Sequence, residues 1–218
     1  MRGFSGFVGL CTSLMLLSGV SAQAGVDAQT VIHKATDRLY AALQDECLTH
    51  TLHPERLFLL VDDILLPHAD LQRMSRWVMG KYWKQSSESQ QQQFMREFKQ
   101  LLVRTYATAI HRVTPEDIRY LPERNSGAVD KTVVRTEVRP KGMPVIPVHY
   151  HMHRKNDRWL VYDVRIEGVS LVANYRSTFS AEIKAIGVEG LISRLKQKNE
   201  QQMAAKAVNS ESVLAVIC

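Results

Sequence analysis

The chain has little of what would divide it into parts or cross-link it. Its 218 residues include seven prolines, eleven glycines and three cysteines. No stretch rich in proline, glycine and serine separates two halves, and no internal repeat is present, which favours a single domain. The glycine-rich phosphate-binding loop of nucleotide hydrolases is absent too, so any nucleotide energy that its function needs must come from another protein.

Residues 1–24 have the pattern of a secretory signal peptide. Arg2 precedes an apolar stretch over 7–20, and Ala22-Gln23-Ala24 supplies the small residues of a cleavage site. The apolar stretch is short for a membrane span. We therefore expect export and cleavage before Gly25, which removes 24 of the 218 residues and leaves 194, enough for one well-buried domain.

The charge and the cysteines follow from that expectation. The formal charge of +6 falls to +5 when Arg2 is removed. In an exported protein this charge favours an anionic membrane surface or an acidic partner over nucleic acid. The mature cysteines are Cys47 and Cys218, and an oxidising compartment would allow a disulfide between them, although a free pair stays open.

Apolar residues at spacings of three and four predict helices in the first half of the chain and again at its end. The predicted helices cover 27–46, 54–67, 70–84, about 88–112, 170–185 and 189 to about 205. Ser87 or Ser89 is the expected cap of the fourth helix, and Gly187 separates the last two. The domain is expected over 25–205, with 206–218 as a tail.

Alternating residues and turn signals predict strands between these helices. They cover 117–121, 129–139, 145–154 and 158–167. The order of helices, strands and helices predicts an α+β fold, in which a curved antiparallel sheet of about four strands has the helices gathered on one face.

One segment, Trp159–Phe179, shows where a strand passes into a helix. Its alternating apolar residues are expected on one face of a strand, and its polar residues on the other. The apolar set is Leu160, Tyr162, Val164 and Ile166, and the polar set is Asp163, Arg165 and Glu167. Gly168 ends the strand, and Ser170 is the expected N-cap of the next helix.

Three groups of residues suggest other chemistry. Ser170 after Gly168 resembles a hydrolase nucleophile at a strand-to-helix turn, but position 172 is Val instead of the second glycine. All eight histidines also precede Ser170, whereas that fold places its histidine last. His149, His151 and His153 alternate along one strand and could hold zinc or copper; a solvated or cavity-edge face is the simpler interpretation.

The acidic and basic residues of the same strand form the third group. Asp163, Arg165 and Glu167 would suit acid–base chemistry in an isomerase-like pocket. They are more simply the polar side of the sheet, paired with Arg154 or Lys155 across the hairpin.

Two longer blocks carry a family resemblance. The first is LFLLVDDILLPHADLQRMSRWVMGKYWK with the following FMREFKQLLVRTYATAI, and the second is WLVYDVRIEGVSLVANYRSTFSAEIKAIGVEGLISRL. Over roughly residues 30–200 the chain resembles the MlaC family, the periplasmic phospholipid carriers of the lipid-asymmetry pathway, also called toluene-tolerance proteins. The HxHxH strand is a departure from what the family leads us to expect.

The resemblance implies a non-enzymatic carrier in the Gram-negative periplasm. Its helices and sheet would enclose an apolar cavity for acyl chains, with phospholipid as cargo and no cofactor. The implied partners are an inner-membrane ABC transport complex and an outer-membrane lipoprotein–porin complex, with no nucleic acid. The alternatives are a small-molecule pocket enzyme of similar shape, isomerase- or hydrolase-like, and a structural adaptor with a solid core.

The expected lipid-binding residues are apolar and aromatic positions on the inward stripes of these elements. They are Leu65, Val78, Phe94, Phe98, Leu102, Tyr106, Tyr162, Val164, Ile166, Val169, Val172, Tyr175 and Phe179. No catalytic and no metal-binding residue is expected among them.

Overall fold

The computed structural model describes residues 26–48, 54–111, 113–122 and 129–208. The predicted signal peptide, the side chain of Cys47 and Cys218 lie outside this part. The cleavage site is therefore still a prediction, and the choice between a disulfide and a free cysteine pair stays open.

Five α-helices and five strands are found in the described part. The helices are α1 (Ala28–Leu48), α2 (Pro54–Ile64), α3 (Leu71–Met79), α4 (Glu88–His111) and α5 (Leu171–Val208). The strands are β1 (Ile118–Tyr120), β2 (Lys131–Val138), β3 (Ile146–Lys155), β4 (Arg158–Ile166) and β5 (Val169–Ser170). Short 3₁₀ turns cover Leu66–His68, Gly80–Gln85 and Pro115–Asp117.

Polar side chains begin most of these helices; the caps predicted at Ser87 or Ser89 for α4 and at Ser170 for α5 are confirmed, with Ser87 as the cap of α4. Ser87 Oγ accepts from the Gln90 amide at 3.2 Å, while Gln90 Oε1 accepts from the Ser87 amide at 3.1 Å, which makes a reciprocal capping box on α4. Asp70 accepts from the Arg73 amide at 2.9 Å, and Ser170 from the Ala173 amide at 3.0 Å. Asp27 caps α1 through Thr30, and the hydrogen bond from the Thr30 amide lowers the pKa of Asp27.

The sheet is an antiparallel meander in the order β1-β2-β3-β4-β5. The α+β class is confirmed, with a fifth strand that is only two residues long and pairs with the end of β4. One face of the sheet, through Val134, Met152 and Val161, packs on Ala28 and Ile32 of α1. On the other face Tyr162 meets Trp77 of α3, so helices contact both faces rather than one alone.

A β-bulge in β4 corrects the predicted strand face. Met152 pairs with Val161, whereas the preceding residue His151 pairs with Asp163, so Tyr162 has no partner in the register. The extra residue shifts the alternation by one position. Val164 packs with Met152 on the α1 side, whereas the Tyr162 ring lies 5.7 Å from the His153 ring on the opposite side.

The last two predicted helices form one element with a break at Gly187. Gly187 has φ 73° and ψ 174° inside α5, a conformation that residues with a Cβ rarely adopt. The change of direction brings Leu191, Ile192 and Leu195 onto the same apolar cluster as Phe179 and Ile183. The helix continues to Val208, three residues beyond the predicted end.

Candidate functional site

Among the side chains that the structure describes, the buried apolar residues form three clusters. The first joins α3, α4 and α5, the second joins α1, α2 and α4, and the third joins α1 to the sheet. Most single domains of this size have one contiguous core. Apolar side chains that border these clusters without being fully buried are the candidates for contact with an apolar ligand.

Helix α4 separates the first two clusters. Leu101 packs in the first cluster and Val103 in the second. At helical spacing, Leu102 and Tyr106 project between these directions, and both are only half-buried. Large apolar side chains that point inward and still keep accessible surface are expected where a ligand, rather than protein, completes the packing.

Half-buried apolar side chains also border the other clusters. We call these side chains, together with Leu102 and Tyr106, the interior seam. It comprises Leu65, Leu102, Tyr106, Ile118, Tyr120, Tyr150, Val164, Ile166 and Tyr175. The seam therefore takes residues from the helices and from the strand face that points toward α1.

The tyrosines of the seam lie in a low-polarity environment. Desolvation raises the pKa of Tyr150 to about 12, yet this residue is only half-buried. Burial also raises the pKa of Tyr106, and a hydrogen bond with Tyr175 adds to the effect. Burial disfavours the charged phenolate, so these hydroxyls stay neutral at ordinary pH and can act as hydrogen-bond donors.

Tyr40 connects the second cluster with the third. It belongs to the second cluster. Burial raises the pKa of Tyr40 most, and the nearby Tyr150 and Tyr120 raise it further. Tyr120, Tyr150 and Tyr40 therefore place hydroxyl groups at one end of the seam. None of the three was predicted as a lipid-binding residue from the sequence. Tyr150 alternates with Met152 along β3, and this pattern could have indicated its inward position.

An aromatic group forms the wall between α4 and α5. Phe94 and Phe98 stack with ring centroids 5.5 Å apart, and Phe98 lies 5.4 Å from Tyr175 and 6.1 Å from Phe179 at steep angles. Such edge-to-face pairs stabilise by about 0.5–1.5 kcal/mol each beyond burial. Phe94 and Phe98 have no exposed surface, so they support the wall from behind.

The structure brings most of the predicted lining residues together. Seven of them lie in or against the first cluster: Val78, Phe94, Phe98, Leu102, Val172, Tyr175 and Phe179. Leu65 borders the second cluster and Val164 the third, while Tyr106 bonds to Tyr175 and Ile166 is half-buried near the end of β4. Tyr162 lies on the other face of the sheet, and Val169 is 59% exposed at a turn.

The residues considered for catalysis have structural roles. Ser170 caps α5 through its hydroxyl. Asp163, predicted on a polar face, is 6% exposed and accepts a hydrogen bond from the Val172 amide at 3.2 Å. The predicted pairing across the hairpin is wrong: Arg154 contacts Asp157, and Lys155 lies 3.7 Å from Asp70.

The three histidines have different surroundings. His153 Nε2 lies 2.9 Å from Asp70 Oδ2, and both residues are buried. His149 pairs with Arg135 and Arg165 on the adjacent strands, and burial, followed by these two charges, lowers its pKa. Across residues 26–48, 54–111, 113–122 and 129–208, no three His, Cys, Asp or Glu side chains are grouped to hold a metal ion.

These features define an α+β protein in which helices pack on both faces of a meander sheet and half-buried apolar side chains border the buried clusters. None of the helices in the described segments has a stretch long and apolar enough to cross a bilayer. The family model for the MlaC protein matches residues 33–197. The chain belongs to the MlaC family, and the resemblance seen in the sequence is confirmed.

Similar proteins are known from three bacteria. The chain is 24% identical over 184 residues to the intermembrane phospholipid transport system binding protein MlaC of Haemophilus influenzae, covering 83% of this chain and 86% of that protein. It is 24% identical over 166 residues to the toluene tolerance protein ttg2D of Pseudomonas putida, covering 74% and 77%. A phospholipid-binding protein from Ralstonia solanacearum, solved in complex with a phospholipid, matches with a TM-score of 0.71 and 32% identity over 81% of this chain and 98% of that one.

Proposed function

We propose that this protein is a phospholipid carrier that holds acyl chains in the interior seam. The single observation that carries the proposal is the set of large apolar side chains that border the three clusters of described residues and are only half-buried. The Ralstonia solanacearum protein of similar fold, solved with a phospholipid, supports the ligand class.

The energetics require such an interior. Removing a methylene from water is worth about 0.8 kcal/mol, so two acyl chains of roughly fifteen methylenes gain on the order of 24 kcal/mol in an apolar environment. A free phospholipid therefore leaves a bilayer very slowly. A carrier must offer the chains a comparably dry surface and must release them when it opens on contact with a membrane or partner.

We place this carrier in the periplasm, after cleavage of the predicted signal peptide. There it would exchange lipid with an inner-membrane ABC transport complex and an outer-membrane lipoprotein–porin complex, and so maintain outer-membrane asymmetry. The expected role is transport without catalysis, because the residues considered for chemistry act as a helix cap or as buried polar partners.

Lipid extraction tests the proposal. The mature protein is purified from cells without detergent and denatured, and the organic extract is analysed by mass spectrometry. We expect phospholipid in near-stoichiometric amount. A well-folded protein that is empty after this procedure, and that stays empty after incubation with phospholipid vesicles, would refute the proposal.

A further inference from the structure

A cationic surface with an exposed tryptophan covers the outer side of α3. Residues 71–87 contain Arg73, Arg76, Lys81 and Lys84 but no acidic residue, and residues 168–181 contribute Arg176, again with no acidic residue. We call these five cations together with Trp77 the basic patch. An uninterrupted run of one charge sign on adjoining elements creates a local positive field.

Residues of the patch on α3 and α5 lie close together. Positions 73, 76 and 77 share one side of α3 at helical spacing, while Met74 and Val78 are buried on the other. Gly80 follows the last residue of α3, and the Arg176 side chain of α5 lies against it. Arg176 Nε is 3.3 Å from the position that a Cβ on Gly80 would occupy. The patch is thus a surface made by two helices rather than a property of one segment.

Arginine holds the tryptophan in place. The Arg73 guanidinium lies 4.8 Å from the Trp77 ring and 4.6 Å from the Tyr162 ring, and the two rings meet edge to face at 5.3 Å. Trp77 remains 39% exposed. This arrangement keeps a large amphipathic ring at the surface, among cations, at little cost in side-chain entropy.

The acidic residues that flank the patch in the sequence have partners within the protein, and two of them are buried. Asp70 is 7% exposed and contacts His153, while Asp163 is 6% exposed and caps α5. The first acidic residue after the patch, Glu88, belongs to α4, where it accepts a hydrogen bond from Gln92. The outward field of the patch is therefore not cancelled by acids at its centre.

We propose that the basic patch docks the protein onto the surface of a bilayer that contains anionic phospholipid. Each lysine or arginine near such a surface contributes about 1 kcal/mol, and tryptophan prefers the boundary between headgroups and acyl chains. An acidic protein would match the charge but would not require the exposed ring at its centre. The docking surface is separate from the interior seam and does not depend on lipid being carried there.

Vesicle flotation tests the docking surface. The mature protein is mixed with vesicles of phosphatidylcholine alone or of phosphatidylcholine with phosphatidylglycerol. We expect binding only to the second kind and a loss of binding as salt is raised, because salt screens exposed charges. Arg76→Gln with Lys81→Gln should lower partitioning about thirtyfold, since each lost cation accounts for about fivefold.

The matched control removes the same charge elsewhere. Lys34→Gln with Lys198→Gln, both exposed positions outside the patch, should leave partitioning almost unchanged. Bromine-labelled lipid should quench fluorescence in the wild type, and the quenching should disappear in Trp77→Phe. Folding is checked by circular dichroism and lipid content by extraction, and both should be the same in all variants.

Several results would overturn the proposal. These are equal binding to the two kinds of vesicle, equal loss in the patch and control variants, or quenching that persists without Trp77. Absence of vesicle binding together with patch-dependent binding of polyglutamate would overturn it as well and would point to an acidic protein partner. The lipid extraction above can succeed or fail independently of these outcomes.

Discussion

Tyr162 and Val164, two positions apart in β4, should respond differently to the same substitution. The bulge places Val164 toward α1 and the interior seam, and Tyr162 on the opposite face of the sheet, beside Trp77. A glutamate at position 164 therefore enters the seam, whereas a glutamate at position 162 lies at the protein surface beside Arg73.

The expected magnitudes follow from burial. Val164→Glu loses part of the 1.5–3 kcal/mol or so that burial of a valine contributes and adds a desolvation cost of several kcal/mol for the carboxylate. A total of about 4 kcal/mol corresponds to an approximately thousandfold weaker affinity for lipid. Tyr162→Glu loses an aromatic contact worth about 1 kcal/mol of stability and leaves the seam intact.

The assay is phospholipid content per folded protein, measured by mass spectrometry of the extract. Val164→Glu should be nearly empty and Tyr162→Glu fully loaded. Val164→Ala, which shortens the side chain without adding charge, controls for the change of packing and should retain lipid. An empty Tyr162→Glu protein beside a loaded Val164→Glu protein would refute the assignment of faces.

Three further substitutions test other parts of the structure. Burial raises the pKa of Tyr150 from 10.0 to about 12; the folded state retains its proton longer, so the contribution of Tyr150 to stability should be intact below pH 10 and fall by about 2–3 kcal/mol as pH rises to 12. Denaturant titrations of wild type and Tyr150→Phe should show this decrease reduced in the variant, and parallel curves would contradict it. Gly187→Ala should cost about 1–3 kcal/mol of unfolding free energy, because the φ of 73° strains any side chain although nothing lies within 4 Å of a new Cβ; an unchanged denaturation midpoint would show that the break in α5 relaxes. Ser170→Ala should cost about 1 kcal/mol through loss of the cap with unchanged lipid content, and Ser170→Asp should restore the stability; an esterase activity abolished by both would instead identify Ser170 as a nucleophile.

Helix positions were predictable from the sequence because their signals are local. Ser87 and Gln90 stand three residues apart just before the apolar stripe of α4, and the observed capping box needs nothing from the rest of the chain. Gly187 likewise marked the break between two helical stripes. The antiparallel hairpins followed from turn residues such as Asn156 and Asp157, which both adopt positive φ.

The strand faces were harder to predict because they depend on pairing between strands. Alternation along β4 assumes a constant period of two, and one bulged residue at Tyr162 reverses every assignment on one side of it. Asp163 shows the same limitation, since its polar character suggested a solvent-facing position, whereas the Val172 amide needed a buried acceptor. The tyrosine end of the seam was missed because Tyr40, Tyr120 and Tyr150 come from distant parts of the chain.

The strand order also has a consequence for the way the chain folds. Each strand of the meander pairs with its neighbour in sequence, so the sheet can form from short-range hairpins that close small loops. Helix α1 differs, because Ile32 packs against Val134, Met152 and Val161, more than one hundred residues later in the sequence. As the chain emerges from its amino end, Leu39 and Leu43 of α1 can pack early against α2. The apolar surface around Ala28 and Ile32 stays uncovered until the fourth strand is present, and we expect this part of α1 to need protection from aggregation for longest.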